Sequence, residues 1–129
     1  MAERSLAGLK YMTSRVAVLG QLRPSNTTAA SLYKPAVNVI GVPLWLYICN
    51  TTAGGLTYRV FIDADGTTYD ETTALAFDKA IAANDFATLD FGPDGLPMPD
   101  SAGNLAVRTS AGSGLTFTCW GYELVGGVV

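Results

Sequence analysis

Short apolar runs, each closed by Pro, Gly, Asn or Asp, recur along the whole chain. Their spacing, roughly 8–12 residues, is that of β-sandwiches and barrels. Ser14 to Leu22 alternates imperfectly and stops at Pro24-Ser25-Asn26. Ser31-Leu32-Tyr33 reads as a short strand ended by Lys34-Pro35. Val37 to Ile40 and Leu44 to Asn50 form the most apolar part, with Gly41 and Pro43 marking a bulge or a break. Thr57 to Ile62 alternates cleanly, which predicts Tyr58, Val60 and Ile62 on one face and Arg59 with Phe61 on the other.

Asp63-Ala64-Asp65-Gly66 follows, and Asp-Gly between β-runs is a hairpin signal that predicts a return strand from Thr67 to Tyr69. Leu75 to Ala83 is rich in helix formers but short and flanked by turn residues, so strand or irregular structure is expected. Phe86 to Phe91 predicts a strand with Phe86, Thr88 and Asp90 opposed to Ala87, Leu89 and Phe91. Gly92 to Asn104 lacks periodicity and reads as a surface loop. Leu105 to Thr109 and Leu115 to Leu124 complete the set. In the last run, Leu115, Phe117 and Cys119 share a parity that Trp120, Tyr122 and Leu124 abandon. A bulge near Trp120 would return both groups to one face.

The expectation is an all-β protein: a single antiparallel β-sandwich or jelly-roll-like domain over 14–129, with an extended N-terminal arm over 1–13. In the arm, Leu6, Leu9 and Met12 have helical spacing, but the segment is too short for an isolated helix. The arm and the apolar tail Val125–Val129 read either as frayed ends or as segments that order against a neighbouring subunit.

Composition sharpens the picture. The chain of 129 residues is 49% hydrophobic and 15% charged, against roughly 25% charged in an ordinary soluble domain. So few charges suggest that neighbours cover part of the surface, or else that Thr, Ser and Asn solvate it. Net charge is −3 and the eight Lys and Arg are scattered, which argues against nucleic-acid binding. The apolar stretch Val37–Cys49 is interrupted and shorter than the roughly 20 residues of a membrane helix, so no membrane partner is expected. The N-terminus lacks the apolar run of a signal peptide, and synthesis in a cytoplasm is expected. The Asn-x-Thr triplets at Asn26 and Asn50 then carry no glycosylation meaning. Cys49 and Cys119 read as free, buried small hydrophobes. An immunoglobulin-type disulfide is disfavoured because Trp45 and Trp120 both lie outside the interval between them.

Candidate chemistry is sparse. Histidine is absent, which removes the commonest general base and zinc ligand. Ser31-x-x-Lys34 matches a penicillin-recognising motif but sits in a strand without companion motifs. Asp63-x-Asp65-Gly66, with Asp70 and Glu71, could suit calcium, yet it misses the EF-hand's third ligand and distal Glu. Asp63, Asp65, Asp70, Asp90, Asp94 and Glu123 offer carboxylates for glycoside hydrolysis, most of them in turns where Asp serves local hydrogen bonds. Tyr33, Tyr47, Tyr58, Trp45 and Trp120 could form a sugar platform, although in strands they read first as core. The expectation is no catalytic, cofactor-binding or metal-binding residues, no cofactor and no enzymatic activity.

Taken in order, Leu32-Tyr33-Lys34-Pro35-Ala36, Leu46-Tyr47-Ile48-Cys49-Asn50, Tyr58-Arg59-Val60-Phe61-Ile62, Ala80-Ile81-Ala82-Ala83-Asn84-Asp85, Leu105-Ala106-Val107-Arg108-Thr109, Leu115-Thr116-Phe117 and Gly121-Tyr122-Glu123 resemble the small β-sandwich structural proteins of tailed-bacteriophage virions, of the capsid cement or decoration type. The resemblance covers about Ser31 to Glu123 and implies a virion protein that clamps neighbouring capsid subunits. It further implies the major capsid protein or other virion proteins as partners, and a homo-oligomer with a trimer favoured. A neck, tail or baseplate position and a carbohydrate-binding module are the alternatives. The resemblance transfers no catalytic residues.

Overall fold

The computed structural model describes residues 2–6, 9–13, 15–98 and 103–128. Its strands are β1 (Ala2–Leu6), β2 (Leu9–Thr13), β3 (Ala17–Leu22), β4 (Ala30–Tyr33), β5 (Val39–Asn50), β6 (Leu56–Asp63), β7 (Ala74–Ile81), β8 (Phe86–Asp90), β9 (Asn104–Thr109) and β10 (Leu115–Val128). No helix occurs among the described residues. One sheet runs β1-β2-β10-β5-β8, with β3 also paired to β10, and the other runs β4-β9-β6-β7. From β3 onward the chain crosses repeatedly between sheets, giving the orders β3-β10-β5-β8 and β4-β9-β6-β7. These are the two interlocked Greek keys of a jelly roll, so the expected antiparallel sandwich is the fold the chain adopts.

Alternation drives the two sheets together. Leu46 and Ile48 of β5, Leu115, Phe117 and Cys119 of β10, Val60 of β6, and Leu105 and Val107 of β9 are all fully buried between them. Ala87, Leu89 and Phe91 pack against this core from the β8 edge, as their parity predicts. Phe61 is also buried, although its parity places it on the outer side of β6. The Tyr69 ring covers it there, 6.0 Å away and tilted by 58°.

The irregularity anticipated at Trp120 is real but sits on the neighbouring strands. Cys119 and Trp120 pair with Gly20 and Val18, which leaves Leu19 as an extra residue in β3. Trp120 and Gly121 pair with Trp45 and Pro43, which leaves Leu44 extra in β5. β10 itself therefore keeps one alternation, and Trp120 and Tyr122 stay outward instead of rejoining the core. Glycine is required at this crossing: a Cβ on Gly20 would lie 2.2 Å from the Leu32 carbonyl oxygen, and one on Gly121 would lie 2.2 Å from that of Val42.

Two other expectations change. No strand begins at Thr67; residues 64–73 form an open loop and β7 starts at Ala74. The Asp63 carboxylate accepts the backbone N–H groups of Thr67 and Thr68 at 2.7 and 2.6 Å, which holds a wide turn in place of a tight hairpin. The stretch from Gly92 is not all surface, since Leu96 and Met98 donate their N–H groups to the carbonyls of Pro43 and Gly41 and Met98 is buried. Residues 99–102 lie outside the described residues. In the stretch 1–13, β1 and β2 are extended, as expected of the arm, and pair with each other, and β2 pairs with β10 from Leu124 to Val128. β2 and β3 thus lie end to end along one edge of β10.

Candidate interaction face

The outer face of the six-stranded sheet is the most unusual surface of the molecule. Three registered rows cross its body: Val18–Trp120–Trp45–Asp90, Gln21–Thr118–Tyr47–Thr88 and Thr116–Cys49–Phe86. Each side chain lies there because its inward neighbours along the strand belong to the core. Exposure is 39% for Trp45, 39% for Tyr47, 36% for Trp120 and 56% for Phe86. The Tyr47 and Phe86 rings stack at 5.2 Å with 13° between their planes. The Gln21 amide donates to the Thr118 hydroxyl at 3.0 Å. Asp90 is the sole charged residue in these rows, and its carboxylate accepts the Gly92 N–H at 2.9 Å.

The outer face of the other sheet has the opposite character. The Arg59 guanidinium pairs with Asp78 at 2.7 Å and stands 3.8 Å over the Phe77 ring. Arg108, the register partner of Arg59, donates to the Thr27 carbonyl at 2.6 Å. Covering this side would desolvate charges, whereas covering the aromatic side removes apolar area from water at nearly no ionic cost. The two faces therefore differ in what they can bury.

The aromatic candidates divide accordingly. Trp45, Trp120 and Tyr47 are exposed on this face, not core as first expected. Tyr33 and Tyr58 are buried. The Tyr33 hydroxyl donates to the Glu123 carboxylate at 2.6 Å, and its pKa is pushed upward, first by burial and then by that acceptor. Cys119 is buried, with its thiol pushed up to about 12 by desolvation. Cys49, expected to be buried, is exposed. The outward Cys49 and inward Cys119 occupy opposite faces of one sheet, and both are free.

The remaining candidates are occupied locally. The Ser31 hydroxyl donates to the Asn104 side-chain oxygen at 2.8 Å. Asp63 ends β6 and Asp65 and Asp70 fall in the loop that follows it, while Asp90, Asp94 and Glu123 lie elsewhere. The Asp70 carboxylate accepts the Thr72 hydroxyl and N–H at 2.6 and 2.9 Å. The hydroxyl above all holds Asp70 below the usual carboxylate range. Asp63 is likewise lowered, foremost by the Thr68 N–H. Among the described residues no group of three or more acidic or thiol side chains is placed to hold a metal.

One residue carries more structure than its sequence context suggests. Asn50 is 1% exposed and ties together two connections at one end of the sandwich, β5–β6 and β7–β8. Its amide donates to the carbonyls of Gly54, Ala82 and Ile81 at 2.9, 3.1 and 3.3 Å. Its oxygen accepts the Thr52 N–H and hydroxyl at 2.9 and 2.8 Å. The signal in the sequence is an amide closing an apolar strand just before Thr51-Thr52, a pattern that favours side-chain capping of the backbone.

No protein-family model matches the chain, and no curated protein matches it in sequence. Among solved structures, a chain of infectious bursal disease virus strain Gx superposes with a TM-score of 0.47 and 16% identity, covering 92% of this chain and 32% of the other. A chain of strain Gt gives a TM-score of 0.41 and 18% identity, covering 88% and 33%. This chain spans about a third of the length of each.

Proposed function

We propose that this protein is a structural, non-enzymatic subunit of a tailed-phage virion, a cement or decoration protein that sits against neighbouring capsid subunits. The observation that carries the reading is the one-sided surface: a jelly roll with a charged outer sheet face on one side and, on the other, an aromatic face whose rows hold a single charge, Asp90. A subunit held in a shell needs one face that water can be removed from and another that stays solvated. Jelly rolls recur in viral shells and also in sugar-binding lectins, and that fold-level analogy alone assigns no function. The ordered sequence resemblance and the low charge support the virion over the alternatives.

Quantitative mass spectrometry of purified particles tests the proposal. Hundreds of copies per particle are expected for a shell position. About three to twelve would move the protein to the neck, tail or baseplate, and its absence would overturn the virion assignment. A carbohydrate-binding module is the second reading, favoured by the exposure of Trp45, Trp120 and Tyr47 on one sheet, since aromatic faces stack on sugar rings. Selective binding on a glycan array that Trp45→Ala abolishes would support it.

A further inference from the structure

Among the described residues the body of the sandwich has four strand edges, β3, β4, β7 and β8, and three of them are irregular. β3 carries Leu19 as an extra residue against β10, β4 carries Leu32 against β9, and β7 bulges against β6 around Asp78, whose φ is 51°. The edge of the terminal strands, β1, carries Glu3 and Arg4. A bulge or a charge on an edge turns other strands away. β8 has neither in its interior: it pairs with β5 from Phe86 to Asp90 without a shift, and Ala87-Thr88-Leu89 is uncharged. The bonds from the Asn50 N–H to Asp85 and from the Phe91 N–H to Leu44 fix which pairs of this ladder are hydrogen-bonded. By antiparallel alternation Ala87 and Leu89 bond to β5, while the N–H and C=O groups of Phe86, Thr88 and Asp90 point to the open edge. Of these groups, the Phe86 N–H is capped by the Asp85 carboxylate at 2.8 Å.

We propose that β8 pairs edge to edge with β8 of a second copy, antiparallel about a twofold axis through Thr88. In that register Thr88 faces Thr88 of the other copy and exchanges two main-chain hydrogen bonds with it. Each Asp90 N–H donates to the Phe86 carbonyl of the other copy, and the Asp85 cap stays in place. Asp90 stands opposite Phe86 of the other copy, so no two carboxylates face each other across the ladder. A regular antiparallel edge is complementary to itself, and a twofold contact closes at two copies in place of the trimer that the resemblance implies. The axis is perpendicular to the sheet, which brings both aromatic faces side by side on one surface. One body face, four strands about 4.8 Å apart over some five residues, projects roughly 300 Å². A stable interface takes about 800 Å² of accessible area per partner, and one face falls short of it. Two faces double the projection, and side-chain relief carries its accessible area into that range. This consequence rests on the virion reading, whereas pairing is a property of the isolated chain.

The five residues of this edge bury less than a standard interface, so the pair should dissociate at about 10–100 µM. Sedimentation equilibrium of the purified chain up to about 1 mM should reach twice the chain mass. Thr88→Pro deletes an edge N–H without touching the ladder to β5, and should weaken pairing at least about tenfold. Circular dichroism and thermal melting check that this variant folds. Thr88→Lys, which sets two like charges across the axis, should weaken pairing independently of any backbone effect. Thr88→Cys in a Cys49→Ser background, needed because Cys49 is exposed, should form a disulfide between copies on oxidation, since facing residues of a hydrogen-bonded pair stand about 5.5 Å apart. Trp120→Lys lies two strands from the edge and should leave pairing intact while weakening attachment to particles. A monomer throughout, a trimer, or a pair that Thr88→Pro and Thr88→Lys both leave intact would overturn the proposal. A pair in solution that purified particles lack would overturn the virion reading and leave the pairing standing.

Discussion

Replacing Asn50 by Ala removes five hydrogen bonds, two accepted and three donated, at a site that is 1% exposed. A buried hydrogen bond contributes about 1 kcal/mol net, and a carbonyl left unpaired in the interior costs about 1–3 kcal/mol. The Ile81 bond is long at 3.3 Å, and Gly54 sits at an exposed turn where water replaces the lost donor. Three of the five bonds then carry the cost, for a total of about 3 kcal/mol. For 129 residues, an unfolding entropy of about 2.1 cal/mol/K per residue gives roughly 0.27 kcal/mol/K. The melting temperature should therefore fall by about 11 °C. Calorimetry and urea titration of the purified protein measure both quantities, with an unchanged urea slope confirming that the native state alone is affected. Asn50→Asp sharpens the test. It keeps the acceptor but aims a carboxylate at three carbonyls, which raises its folded-state pKa above the unfolded value near 3.9. That variant should be worse than Ala at pH 7 and should recover as the pH falls and the carboxyl protonates. A fall of less than 3 °C for Asn50→Ala would refute the view that this amide ties the connections together.

Gly121→Ala should destabilise by about 3 kcal/mol or prevent folding, because its Cβ meets the Val42 carbonyl on a backbone that cannot retreat; soluble yield and thermal melting decide it. Tyr33 has a folded-state pKa raised above its unfolded value of 10.0, so the folded chain keeps a proton that the unfolded one loses. Stability should hold below pH 10 and decline above it, and Tyr33→Phe should flatten that decline in a series of urea midpoints against pH. Phe86→Ala removes a ring that is 56% exposed and should cost less than about 1 kcal/mol by urea titration of the monomer, while weakening any association that uses the aromatic face.

Local pattern and long-range packing divide this protein between them. Strand positions were legible because alternation has period two and turn residues punctuate it: β4, β6, β8 and β9 fall within a residue or two of their expected limits. The opposition of Phe86, Thr88 and Asp90 to Ala87, Leu89 and Phe91 was equally plain. The Thr67 return strand was misread because Asp63 reaches four and five residues ahead to cap a wide loop, a bond that Asp-Gly statistics do not contain. Residues 2–13 were open because their partner, the end of β10, lies more than a hundred residues away. Whether Trp120 faces core or solvent was undecidable from β10, since the residues that settle it, Leu19 and Leu44, are extra positions on two other strands. The aromatic face has the same origin. Trp45, Tyr47 and Trp120 look like core in any single strand, and they become surface because the second sheet covers the opposite side of the one they share. The sequence by itself determined which residues alternate and where the chain turns, because those are properties of neighbours along the backbone. Which of the two alternating faces is buried was decided by the tertiary structure alone, because burial depends on what another sheet covers.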